Sequence, residues 1–375
     1  MIVKDEASNI RDVLRAALPF VDCWTIVDTG STDGTQEIVR QETEGKPGQL
    51  TSATFENFSQ ARNLALQTDY ANGAMFQLML SGDEYLKTGE ELRRALEAER
   101  DSKNDLFAIR VEMEDATVFS PRIFRTGSPW RYEGLVHEVP YNRAVDNATV
   151  QALSNVRIEH VVSDHERRYS YIWENHIPLL EKQLDENPND ERALIFLAQS
   201  YETLIGTGTL EPWEKTMFAM KAMALYKRRL DIASGTDVER NFVEMQYLDT
   251  ARVAGVYTDK EMFERATELQ KKDPARPETA LIVVESSMKV VPATRVYELA
   301  RDAVEIANKA RSVNNFSPVS TKCGWKANYF AAVAASQLAR KHPEDKDRVR
   351  EHVHAGIEAG GPWAYFKAIE DRIAE

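Results

Sequence analysis

The chain of 375 residues carries 47 Lys and Arg against 60 Asp and Glu, a formal net charge of −13. That balance argues against an extended surface for tracking a polyanion, because proteins that follow phosphate backbones display a basic face. With 43% hydrophobic and 29% charged residues the composition is that of a soluble globular protein; no apolar run approaches the roughly 20 residues of a membrane span, and no signal-peptide pattern opens the chain.

The length exceeds one domain of roughly 100–200 residues, so two are expected, at 1–165 and 166–375. The first alternates β-like apolar runs with helical patterns, the mark of an α/β fold on a largely parallel sheet. Strands are predicted at 1–4, 24–28, 51–53, 75–80, 106–111 and 122–125. The first is short for a strand: either it pairs at the N-terminus or residues precede it. Between the first two, Ser8 is placed to cap a helix that carries Ile10, Val13, Leu14 and Ala17 at helical spacing. Further helices are expected from about Asp33 to Val39 and from Gln60 to Gln67. Beyond His160 amphipathic helical segments take over, at 173–186, 191–204, 213–233, 238–254, 259–272, 277–290, 293–311, 323–340, 344–359 and 362–374. Short turns such as Asn187-Pro188-Asn189-Asp190 and Asp273-Pro274, near a 34-residue period, point to tetratricopeptide-like repeats, with a nonrepetitive bundle as the alternative. Cys23 and Cys323 fall in different domains and read as unpaired small core residues in a reducing, cytoplasmic compartment.

The most informative stretch is Thr25-Ile26-Val27-Asp28-Thr29-Gly30-Ser31-Thr32-Asp33-Gly34-Thr35. An apolar strand ends in Asp28, passes a Gly-containing polar turn and enters a capped helix. Ligands of open α/β sheets bind beyond such strand ends, where a carboxylate meets a ribose or base edge. Many strand-to-helix turns carry Asp and Gly for capping alone.

Taken with Ile2-Val3-Lys4-Asp5-Glu6, Asn9-Ile10 and Asn57-Phe58-Ser59-Gln60-Ala61-Arg62-Asn63, this stretch resembles family 2 glycosyltransferases of the GT-A fold. Pro121-Arg122-Ile123-Phe124-Arg125 and Tyr132-Glu133-Gly134-Leu135-Val136-His137-Glu138 are similar to the segment that closes the catalytic domain in members bearing tetratricopeptide repeats. The resemblance implies a GT-A (nucleotide-diphospho-sugar transferase) domain followed by an all-α helical-repeat domain. It also implies an inverting transfer from a nucleotide-sugar, a UDP-sugar, to a hydroxyl or thiol on a macromolecular acceptor, peptide or glycan. Asp28, Gly30, Ser31 and Asp33 would hold the nucleoside, with Arg62 and Asn63 near the nucleotide; Arg62 equally suits a bridge to a carboxylate.

Such enzymes place paired aspartates at a strand end, one of them on a Mn²⁺ or Mg²⁺ that neutralises the departing diphosphate. Here Ser81-Gly82-Asp83-Glu84 follows the strand, so Ser81 stands where the first aspartate is expected and Asp83 keeps the second. Asp83, His137 and His160 are the implied metal ligands, and Glu138, after Val136 at a predicted strand end, is the implied general base. His165, His176, His342, His352 and His354 read as surface or packing residues. Two rival readings stay open. One is a viral-type DNA glycosyltransferase acting on hydroxymethylated pyrimidines, its cleft built from Arg110, Arg122, Arg125, Arg131, Arg143, Arg157, Arg167 and Arg168 with Phe119, Phe124, Trp130 and Tyr132. The other is an inert binding module whose repeats recognise a partner, a reading raised by Ser81. A homo-oligomer is compatible with all three.

Overall fold

The computed structural model describes residues 1–67, 73–113, 117–142, 150–161, 169–206, 210–311, 320, 322–340, 342 and 345–374. Internal contacts divide the chain into two units, Met1–Arg168 with Pro178–Leu180, and Tyr169–Ile177 with Glu181–Glu375. Arg143, Arg167, Arg168 and His165 lie outside the described residues.

In the first unit β1 (Ile2–Val3), β2 (Trp24–Asp28) and β3 (Gly48–Ser52) form a parallel ladder in the order β1-β2-β3. Val3 pairs with Asp28, and Asp28 with Ser52. Alternation along β2 sends Ile26 to a core with Val3, Ile10, Leu14 and Val39, and Val27 to the opposite core with Ala65, Met79 and Tyr132. Both faces are therefore covered, which is why the strand reads as an unbroken apolar run. The covering helices are α1 (Ile10–Ala17), α2 (Thr35–Glu42) and α3 (Phe58–Gln67). A parallel bridge from Ile2 to Ser81 brings the chain after β4 (Phe76–Leu78) alongside β1.

A five-stranded sheet runs β4-β7-β6-β10-β5, with β5 at Glu84–Leu86, β6 at Leu106–Glu112, β7 at Thr117–Arg125 and β10 at Gln151–His160. β10 lies parallel to β6 and antiparallel to β5, placing His160 opposite Glu84. Helix α4 (Gly89–Ala98) packs against β10, and β8 (Arg131–Glu133) and β9 (Val139–Tyr141) form a separate hairpin.

Several expectations need correction. The cap of α1 is Asn9 rather than Ser8, and its amide bonds Glu6 instead of the helix. β3 begins three residues before the predicted 51, because Gly48 pairs with Trp24 and its missing side chain leaves room for the indole. β7 extends back to Thr117 across Pro121, which sits at a register shift where its missing N–H breaks no ladder. Val136 ends no strand: residues 134–138 are the connection between β8 and β9, with Gly134 at φ 108 and His137 at φ 51. Cys23 is half-buried, not a core residue, while Cys323 is buried; neither forms a disulfide.

The second unit is all helical. After a π-helical turn at Ile172–His176 come α5 (Ile177–Glu186), α6 (Glu191–Gly206), α7 (Pro212–Asp231), α8 (Asp237–Val253), α9 (Asp259–Lys272), α10 (Pro277–Ser287), α11 (Ala293–Arg311), α12 (Cys323–Ala339), α13 (Lys346–Glu358) and α14 (Trp363–Ala374). Thr236 with Glu239 and Thr258 with Glu261 form capping boxes that start α8 and α9. From α6 onward each helix packs on the next, and α8 on α10, α10 on α12 and α12 on α14 as well, the pattern of stacked helix pairs. Alanines 280, 300, 303, 327, 331 and 334 let α10, α11 and α12 approach closely. Among the described residues no helix is long and apolar enough to cross a membrane.

Candidate active site

The turn after β2 is held against the turn after β1 by reciprocal hydrogen bonds. The Asp5 carboxylate accepts from the Thr32 amide at 2.7 Å, while the Asp5 amide donates to Ser31 Oγ at 2.8 Å. Asp33 accepts from the Ala7 amide at 2.8 Å through one oxygen and from the Thr35 amide and hydroxyl through the other. Asp33 thus clasps two loops, and both its oxygens are engaged by its own chain. Burial pushes its carboxyl up, but the Thr35 and Ala7 hydrogen bonds outweigh this and hold it below the ordinary range.

Asp28 behaves differently. Fully buried, it accepts through Oδ1 from the amides of Gly30 and Ser31, both at 2.9 Å, and from Gln36 Nε2 at 3.0 Å. Gly30 makes this geometry possible, since φ 107 is a backbone state that L side chains rarely adopt. Burial raises the carboxyl; hydrogen bonds from Ser31, Gly30 and Gln36 more than offset it and hold Asp28 below the ordinary carboxylate range. Its second oxygen, Oδ2, is buried and accepts no hydrogen bond among the described residues. An ionised, buried oxygen without a donor is costly, so a donor supplied to it would be favourable.

Two strand spacings away, at roughly 10 Å, lies the end of the β4 segment. Gly82 packs so close to Glu6 that a Cβ would fall 2.5 Å from Glu6 Cγ. Asp83 and His160 come together there: Nε2 of His160 is 2.9 Å from Asp83 Oδ2, and each side chain is 30% exposed. The pairing of β10 with β5 sets this contact, because it aligns His160 with Glu84, next to Asp83 in the chain. His137 is exposed in the β8–β9 connection, and among the described residues no three His, Cys, Asp or Glu side chains are grouped to hold a metal ion. The structure therefore assembles two of the three expected ligands, not three.

The amino end of α3 holds residues 131–138. Phe58 N donates to Leu135 O at 3.2 Å, Ser59 Oγ bonds Gly134 O, and the Asn63 side chain both donates to Tyr132 O at 2.9 Å and accepts from Tyr132 N at 2.7 Å. Asn63 is thus engaged by β8. Arg62 bridges to Glu138, with both side chains only 9% exposed, and donates to Ser81 Oγ at 3.2 Å. Burial alone would lower the Arg62 pKa; Glu138, Tyr132 and Glu84 overcome it and keep the guanidinium charged. Glu84 bonds the Ser81 amide at 2.9 Å and Arg122 at 2.7 Å. The expected base Glu138 and the expected nucleotide-side Arg62 are therefore each other's partners. Sequence reasoning missed Gln36 and the structural role of Glu84; the adjacency of Glu84 to Asp83 was the available signal.

Of the arginines expected to line a nucleic-acid cleft, the described Arg110, Arg122, Arg125 and Arg157 are engaged within the unit. Arg110 and Arg157 face Glu112, Arg122 faces Glu84, and Arg125 ties down the carbonyls of Glu99, Arg100, Ser102 and Asn104. Phe124, Trp130 and Tyr132 are core residues. A cavity of about 980 Å³ is lined by Trp24, Thr25, Leu78 and Leu92 among others, and by neither Asp28 nor Asp83. Its size does not make it the site, since the convergent polar groups lie elsewhere.

No family model matches the chain, and no curated protein matches it. Among solved structures the chain is similar to the crystal structure of MamA, with a TM-score of 0.33 and 10% identity over 57% of this chain and 97% of that one. A likeness this slight bears on neither fold nor function.

Proposed function

We propose that the first unit is a GT-A domain that transfers a sugar from a UDP-sugar to a hydroxyl or thiol of a macromolecular acceptor. The observation that carries this reading is the donorless Oδ2 of buried, ionised Asp28 at the carboxyl end of β2. An N–H of a pyrimidine ring or a ribose hydroxyl would offer the missing donor once the turn that covers this oxygen moves aside. The strand order supports the same fold: β3-β2-β1, then the bridge at Ser81, then β4-β7-β6-β10 with β7 antiparallel to its neighbours.

A divalent cation fits Asp83 and His160, a carboxylate oxygen and an imidazole nitrogen in contact and part-exposed. These two side chains would hold Mn²⁺ or Mg²⁺, which supplies charge neutralisation to a departing diphosphate. Residues 131–138 carry Glu138 at the same edge, where it would face an acceptor while Arg62 sets its position. The helical unit, with its stacked pairs, would present the acceptor. A second reading, an inert domain beside a binding array, is favoured by the neutral Ser81. Hydrolysis of UDP-sugars with added Mn²⁺ separates the two: turnover that disappears in Asp83→Ala supports the transferase, whereas failure to bind or cleave any sugar nucleotide supports the inert domain.

A further inference from the structure

We propose that Arg62 is a positioning residue that latches residues 131–138 onto the carboxyl edge of the sheet, and that the hydroxyl at Ser81 is what leaves Glu138 as its counter-ion. The ties from Phe58, Ser59 and Asn63 to this segment are neutral and reach only Tyr132, Gly134 and Leu135. The bridge from Arg62 reaches past them to Glu138, beyond the left-handed His137. His137 holds φ 51, an uncommon backbone state for a non-glycine residue, and the charged tie follows it by one residue.

Arg62 in turn needs a carboxylate, because a guanidinium on a side chain only 9% exposed is costly without one. Its Nη2 meets only a hydroxyl at Ser81, at 3.2 Å, and Nη1 has no partner among the described residues. A carboxylate at position 81 would stand within reach of the same nitrogens and compete with Glu138. The functional consequence rests on the transferase reading, since it concerns where Glu138 faces the acceptor; the latch itself does not.

The test is amide hydrogen exchange of residues 135–139 in the whole chain, read by mass spectrometry. In Ser81→Asp/Glu138→Gln the buried guanidinium keeps a counter-ion but loses its charged tie to the segment, where only a neutral amide acceptor remains. We expect the double variant to melt close to the parent while these amides exchange about tenfold faster or more. Parent-like protection there would overturn the latch and leave Glu138 a mere charge partner. Should the double variant fail to fold, Ser81→Asp alone decides, with faster exchange expected and unchanged exchange overturning the proposal. Arg62→Lys should recover part of the protection that Arg62→Gln loses. Absence of UDP-sugar hydrolysis in the parent would sink the transferase reading and leave the exchange result standing.

Discussion

His160, the last residue of β10, is held 2.9 Å from the carboxylate of Asp83, 77 positions earlier in the chain. Antiparallel pairing of β10 with β5 produces the contact, so the pair belongs to the sheet and not to a mobile loop. Because both side chains are part-exposed, removing either should change stability little. Asp83→Asn and His160→Ala should each lower Mn²⁺-stimulated UDP-sugar hydrolysis by about 10–100-fold or more, the range typical of metal-ligand and supporting-shell losses. Titration of Mn²⁺ against hydrolysis rate checks this, and an unchanged metal dependence in both variants would remove the pair from the site.

Asp28 offers a separate handle, because its role would be binding rather than chemistry. Asn keeps an acceptor for Gly30 and Ser31 but removes the charge on the free oxygen. A charge-assisted hydrogen bond is worth about 1.5–3 kcal/mol, so Asp28→Asn should weaken UDP binding by about 10–100-fold, measured calorimetrically. The pH dependence has a definite sign. Asp28 has a folded pKa below its unfolded value, so the stability it contributes is present above the unfolded pKa and lost as pH falls through the folded one. Urea midpoints measured below pH 4 should therefore decline less steeply for Asp28→Asn than for the parent.

The turn around Asp28 was legible because its signals are local: an apolar strand, Gly30 where a left-handed residue is required, and a helix seven residues on. The Asp83–His160 pair was legible only as two candidates, since nothing in spacing reveals that β10 returns to β5. Arg62 and Glu138 stood in motifs read separately, and their bridge across 76 positions needed coordinates. Short strands β5, β8 and β9, of three residues each, carry too few alternations to register as periodic. Long helices of the second unit were legible from α6 to α14 because caps and apolar faces repeat over many turns.

Within that second unit Glu202 of α6 accepts hydrogen bonds from Tyr226 of α7 at 2.7 Å and from Gln246 of α8 at 3.0 Å. Desolvation by burial raises its pKa from 4.5 to about 8, against the lowering effect of Tyr226 and with a further rise from Asp249. A folded pKa above the unfolded one means that the stabilisation is complete below pH 4.5 and is lost as pH rises through about 8. Glu202→Gln keeps an acceptor and removes the titration. Its melting temperature should exceed that of the parent at pH 9, with the gap closing toward pH 5; a constant gap across that range would show that Glu202 does not titrate as described.

Gly48 tests why β3 sits where it does. The indole of Trp24 lies over its Cα, hydrogen-bonded through Nε1 to Lys46 O at 3.0 Å, and a Cβ at position 48 would fall 2.3 Å from the ring. The register Trp24 with Gly48 continues through Asp28 with Ser52, so this one close approach fixes where the strand that flanks Asp28 begins. Gly48→Ala must push the ring or the strand aside, an overpacking effect of about 1–3 kcal/mol. Urea denaturation should show that loss, and Trp24→Ala in the same background should reduce the penalty because the clash is gone. If Gly48→Ala were as stable as the parent, the indole would have another place to go and the register of β3 would have to be set by something else.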